Sequence, residues 1–176
     1  MSTPPVALER KGPVVIGFDG SDVAVRALAE AAGLLAGRSA VVVTVWEPGR
    51  GFESAWPVGL GVPVPTIDIR TALELEQAAY ESAQRTAQQG AGLAMSMGLK
   101  AESLVVADDV SIADTLVRVA QERDASAIVV GAHRHGAISE VLLGTTSRDV
   151  VRHAPCPTVV VREDADRNGE AGGSRS

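Results

Sequence analysis

The residues with chemical potential gather at a few places in the chain. Gly131-Ala-His-Arg-His-Gly136 is followed, after a short interval, by Gly144-Thr-Thr-Ser147. Glycines let a main chain approach a ligand closely, and hydroxyls beside the free amides of a helix start make an anion site. The chemistry this suits is holding a phosphate, although neither GxxxxGK[ST] nor GxGxxG is present. The same residues serve equally as turn glycines and an ordinary Thr/Ser cap. Asp19, in Asp19-Gly-Ser21, offers a carboxylate that accepts hydrogen bonds, either from a ligand or from the start of the helix after it. Cys156, between Pro155 and Pro157, reads as a small apolar residue rather than a nucleophile. His153 serves a helix C-terminus. Asp108-Asp109 reads as a metal pair or as a turn ahead of Ser111, the turn being the commoner use. Met95 and Met97 read as packing, and Trp46 and Trp56 offer flat apolar surfaces to a ligand or pack on their own domain. No paired acid and base and no metal cage stands out, so no catalytic and no metal-binding residue is assigned.

These residues need strands and helices to hold them. Five β-branched runs supply the strands: Val14–Phe18, Val41–Trp46, Ala101–Val106, Ala127–Val130 and Thr158–Val161. The first, second and fourth are nearly continuous in Val and Ile, the pattern of strands buried on both faces of a parallel sheet. Between them, Val25, Leu28, Ala29, Ala32, Leu35 and Ala36 form one apolar stripe, with Ser21 or Asp22 as cap and Gly37 as stop. A second helix is expected from about Thr71 to Met97, with Leu75, Ala79, Ala83 and Ala87 on one face and Gly98 as its stop. Ser111-Ile-Ala-Asp114 is a capping box that turns Ile112, Leu116, Val119 and Ala120 inward. A fourth helix, about Thr146–His153, ends in the cations Arg152 and His153 ahead of Pro155. Strand and helix alternate, which predicts an open α/β sheet with helices on both faces. In such a sheet ligands sit beyond the carboxyl ends of the strands, where the strand order reverses. Asp19, Val45, Asp108 and Gly131 all stand just past such ends.

The chain has 176 residues, one ordinary domain's worth. It is 45% apolar but only 3% aromatic, so its core must be built from Val, Leu, Ile and Ala. The net charge of −6 and the lack of a basic block argue against a nucleic-acid or anionic-membrane surface. A single cysteine, no spanning apolar run and no secretory signal lead to the expectation of a cytoplasmic protein without membrane contact. Lys11 and Lys100 are the only lysines among 16 basic residues, a usage suggesting a GC-rich bacterial source. Residues 1–11 are expected to be a flexible N-terminus, 12–162 the domain, and 163–176 a disordered polar tail. The Pro- and Gly-rich stretch Glu47–Thr66 reads as a long loop or lid.

At this point the chain resembles the universal stress protein family over roughly residues 12 to 162. The resemblance is carried by Val14-Val-Ile-Gly-Phe-Asp-Gly-Ser21, by Thr44-Val45, and by Ala127-Ile-Val-Val-Gly-Ala-His-Arg-His-Gly136. Val141-Leu-Leu-Gly-Thr-Thr-Ser147 and Val150-Val-Arg-His-Ala-Pro-Cys-Pro-Thr-Val-Val-Val161 complete it. It implies a Rossmann-like domain with strand order 3-2-1-4-5. The nucleotide-binding branch of the family carries G-x2-G-x9-G-[ST], and here Gly131, Gly144 and Thr145 fall on three of those positions. Arg134 stands on the second glycine position, a departure, with Gly136 two residues later. Carried over position by position, Asp19 would hold the ribose and Val45 would meet adenine through its backbone, with Gly17 and Phe18 also counted among the cofactor-binding residues. Val130, Gly131 and His133 would line base and sugar, and Gly144, Thr145, Thr146 and Ser147 would surround the phosphates.

The expected function is therefore binding of ATP, or ADP or AMP, with Mg²⁺ held through the phosphates, in a stress-response sensor or regulator. Two other classes stay open: a nucleotide-free dimeric interaction module, and a slow ATPase or phosphotransferase, for which the loop offers no Lys. Arg134 either fills the phosphate space or returns its guanidinium to the β- or γ-phosphate; the second is the reading adopted. The Phe52–Val64 segment with Trp56 is expected beside the pocket mouth. A homodimer is expected through the last strand, near Cys156–Val161, because that strand is apolar and lacks the usual protection of an edge.

Overall fold

The computed structural model describes residues 11–49, 69–108, 110–132 and 144–162. In chain order these form β1 (Val14–Gly17), α1 (Asp22–Leu34), β2 (Ser39–Trp46), α2 (Ile69–Ser96), β3 (Lys100–Ala107), α3 (Ile112–Glu122), β4 (Ala127–Ala132), α4 (Thr145–His153) and β5 (Thr158–Arg162). The strands make one five-stranded sheet in the order β3-β2-β1-β4-β5, and every pairing is parallel. The expected strand runs, their order and their alternation with helices all hold.

Successive strand residues point to opposite faces, and the core accordingly divides in two. Val14, Ile16, Ala40, Val42 and Val129 face α1 and α2. Val15, Val41, Val43, Ile128 and Val130 face α3 and α4. The central strands are thus apolar on both sides because both sides are covered.

The helices start where their caps direct. Ser21 accepts from the Ala24 amide at 3.3 Å. Ser111 accepts from the Asp114 amide at 3.1 Å, and its hydroxyl donates to the Asp114 carboxylate at 2.7 Å. Gly37, past the end of α1, has φ +80°, a conformation glycine adopts without cost.

Two stripes differ from the sequence pattern. In α1 the buried residues are Val23, Ala24, Ala27, Leu28, Ala31 and Ala32. Ala29 and Ala36 are exposed, and Val25 and Leu35 are half-buried. Alanine recurs around the whole helix, so spacing alone left the inward face undetermined and the sheet selected it. In α2 only the second half is buried, at Ala83, Ala87, Gly90, Ala91 and Ala94. Leu75 is exposed and Ala79 half-buried. Tyr80 meets Trp46, the last residue of β2, edge to face at 5.5 Å. The helix residues before Tyr80 therefore run on past the carboxyl end of the strand they accompany.

Candidate functional site

After β1 the chain turns to β2 and β3 on one side, and β4 and β5 lie on the other. The order reverses between β1 and β4, which leaves a crevice beyond their carboxyl ends. A cavity of about 160 Å³ occupies that place. Val43, Val45, Ile112, Leu116 and Val130 give it an apolar wall, and Gly17, Phe18, Asp19, Ser21, Gly131 and Thr146 line the rest. Seven of the residues singled out from the sequence therefore meet in one cavity: Gly17, Phe18, Asp19, Val45, Val130, Gly131 and Thr146. Gly144 is the N-cap of α4, and Thr145 and Ser147 stand with Thr146 in its first turn. His133, Arg134 and Gly136 lie outside the described residues, as do Phe52–Val64 and Asp109.

Asp19 sits in the short turn between β1 and α1. Its Oδ1 accepts from the Ser21 amide at 2.9 Å and from the Ser21 hydroxyl at 2.5 Å. The carboxylate thus holds the turn that starts α1 while it lines the cavity. Both readings of Asp19 draw on this geometry.

Thr44, beside Val45, is buried and supplies a contact that sequence pattern did not reveal. Its Oγ1 donates to the Phe18 carbonyl at 2.8 Å, and the Phe18 amide donates to the Val43 carbonyl at 2.9 Å. The β1 end that delivers Asp19 is therefore fastened to β2.

Gly131 is where three elements converge. A Cβ there would stand 3.1 Å from both the Cγ1 and the carbonyl oxygen of Val23, in the first turn of α1. Its own carbonyl accepts the Ser147 hydroxyl at 3.0 Å. Glycine at this position is explained by helix packing as well as by any ligand.

At α4, Gly144 contributes no side-chain cap. The first-turn amides of α4 therefore gain no capping oxygen from their own N-cap residue, and they carry the positive end of the helix dipole. A carboxylate that accepts hydrogen bonds, an apolar wall and a helix start that donates them thus surround one cavity, chemistry suited to hydroxyls, a flat apolar face and an anion. Among the described residues there is no group of three or more His, Cys, Asp or Glu able to hold a metal ion. Asp108 instead turns its carboxylate toward the Thr115 hydroxyl, at 3.4 Å. No helix among them is long and apolar enough to cross a membrane.

An open parallel sheet, covered on both faces and with its crevice at the reversal of strand order, defines a Rossmann-like α/β domain. The chain belongs to the universal stress protein family, whose model matches residues 12–162. It is 28% identical over 151 residues to a universal stress protein of Thermus aquaticus, covering 85% of this chain and 97% of that one. Among solved structures, it is similar to the universal stress protein UspA from Lactobacillus plantarum (TM-score 0.62, 21% identity, 87% and 99% of the two chains). It is also similar to the universal stress protein from Archaeoglobus fulgidus in complex with dAMP (TM-score 0.55, 24% identity, 86% and 98%). These structural likenesses are likenesses of fold.

Proposed function

We propose that this chain binds an adenine nucleotide in the crevice between β1 and β4. The observation that carries the reading is the single cavity in which Asp19, the apolar wall of Val45 and Val130, and Thr146 of α4 come together. At about 160 Å³ it is smaller than the roughly 300–1,000 Å³ of usual small-molecule sites. In this reading the base occupies the cavity, with sugar and phosphates along its rim. Val45 then meets adenine through its backbone, Asp19 takes the ribose, and the α4 start takes the phosphates. The dAMP complex of the Archaeoglobus relative supports the ligand class. His133 and Arg134 enter the reading from the sequence alone, Arg134 as a partner of the β- or γ-phosphate. ATP with Mg²⁺ held through its phosphates is the fullest form of the ligand. A homodimer paired along β5, in a cell's stress response, is the form in which the protein works.

Native mass spectrometry of freshly purified protein, followed by titration with ATP, AMP and GTP, tests this. A co-purified adenine nucleotide, or saturable ATP binding that GTP does not match, is expected. A protein that binds no adenine nucleotide at millimolar concentration overturns the reading and leaves a nucleotide-free interaction module.

A further inference from the structure

Among the described residues three polar side chains are buried, Thr44, Thr115 and Ser147. Each places its hydroxyl at the carboxyl end of a strand: Thr44 on the Phe18 carbonyl, Thr115 on the Asp108 carboxylate, Ser147 on the Gly131 carbonyl. Of these, Ser147 stands nearest the helix start. It is the third residue of α4, only 2% exposed. Its backbone amide is one of the first-turn donors that have no partner within the helix. A serine in that turn commonly bonds its own helix end, whereas this one reaches across to β4 at 3.0 Å. Gly131, which receives it, is in turn packed against the first turn of α1 through Val23.

We propose that Ser147 is a positioning residue: its buried hydroxyl holds the amide end of α4 against the end of β4, and so sets where a phosphate sits without touching it. This rests on the nucleotide reading above and separates Ser147 from Thr145 and Thr146, whose hydroxyls are left for the ligand. Base and sugar are held by β1, β2 and β4, which keep their own ladder. Loss of the Ser147 hydroxyl therefore acts on the phosphate end alone.

The test compares ATP and adenosine binding by calorimetry in the full chain, in the parent and in Ser147→Ala. ATP affinity is expected to fall about tenfold, the net worth of one well-made buried hydrogen bond, while adenosine affinity stays within about twofold. Ser147→Cys keeps the shape with a weaker donor and is expected to move ATP in the same direction; it carries the test if the alanine variant does not fold. Equal loss for ATP and adenosine, or no change in either, overturns the positioning role and leaves nucleotide binding intact. A parent protein that binds neither ligand overturns the nucleotide reading, and this inference with it.

Discussion

The ring of Phe18 lies directly on the backbone of Gly90, so that a Cβ at position 90 would stand 2.6 Å from the ring's Cδ1. Phe18 follows β1 and is 3% exposed, and Gly90 is in the buried half of α2. A glycine within a helix ordinarily costs about 1 kcal/mol relative to alanine. Here it lets the helix approach the strand end from which Asp19 projects.

The consequence is a pair of substitutions with opposite sign in one helix. Gly92→Ala meets nothing within 4 Å and is expected to stabilise the protein by up to about 1 kcal/mol. Gly90→Ala gains the same propensity but drives a methyl into a buried ring, an overpacking cost of about 1–3 kcal/mol. Urea unfolding is expected to show a lower midpoint for Gly90→Ala and an equal or higher one for Gly92→Ala. Two variants moving the same way would refute the account.

This contact also marks the boundary of what the sequence made legible. The strands were readable because Val14–Ile16, Val41–Val43 and Ile128–Val130 are apolar at every position, and only a sheet covered on both faces needs that. The site was partly readable, since Asp19 follows β1, Val45 and Gly131 stand at the last-but-one positions of β2 and β4, and parallel topology brings such ends together. Phe18 against Gly90 was not, because the two are joined only by how α2 lies on the sheet. Ser147 read as one hydroxyl of a phosphate loop, and only its bond to Gly131 distinguishes it from its neighbours. The misplaced stripe of α1 has a related cause: a helix with alanine on every side declares no face.

Thr44 carries the second prediction. Thr44→Val preserves shape but removes the donor that the Phe18 carbonyl accepts at 2.8 Å in a buried setting. Leaving such an acceptor unmet costs about 1–3 kcal/mol. The expected result is a lower unfolding midpoint, with Thr44→Ser, which keeps the hydroxyl, losing less. If valine and serine variants lose stability equally, the hydrogen bond is not the cause.

The third concerns assembly. β5 ends the sheet order, and Val159 and Val160 are half-buried, each packed against one of the two core clusters. An apolar edge strand is ready to pair with a second copy. Light scattering at micromolar concentration is expected to give a dimer for the parent and a monomer for Val160→Lys, whose charge protects the edge. A monomeric parent, or a dimer indifferent to the lysine, would remove β5 from the interface.

The last prediction separates the two uses of Asp19. Its Oδ1 accepts from both the amide and the hydroxyl of Ser21, so it caps the turn into α1 whatever else it does. Asp19→Asn keeps an oxygen for that turn and removes the charge. If capping were the whole role, the variant would bind nucleosides as the parent does. If Asp19 also receives the ribose hydroxyls, the loss of a charge-assisted bond falls on the sugar alone. Adenosine affinity is then expected to fall about fivefold to tenfold, because charged acceptors outbid neutral ones by roughly 1 kcal/mol or more. Binding of 2′,3′-dideoxyadenosine, which presents no diol, is expected to stay within about twofold on the same arithmetic. Equal losses for the two nucleosides would point to a displaced turn rather than a missing sugar contact. Unchanged affinity for both would confine Asp19 to the cap.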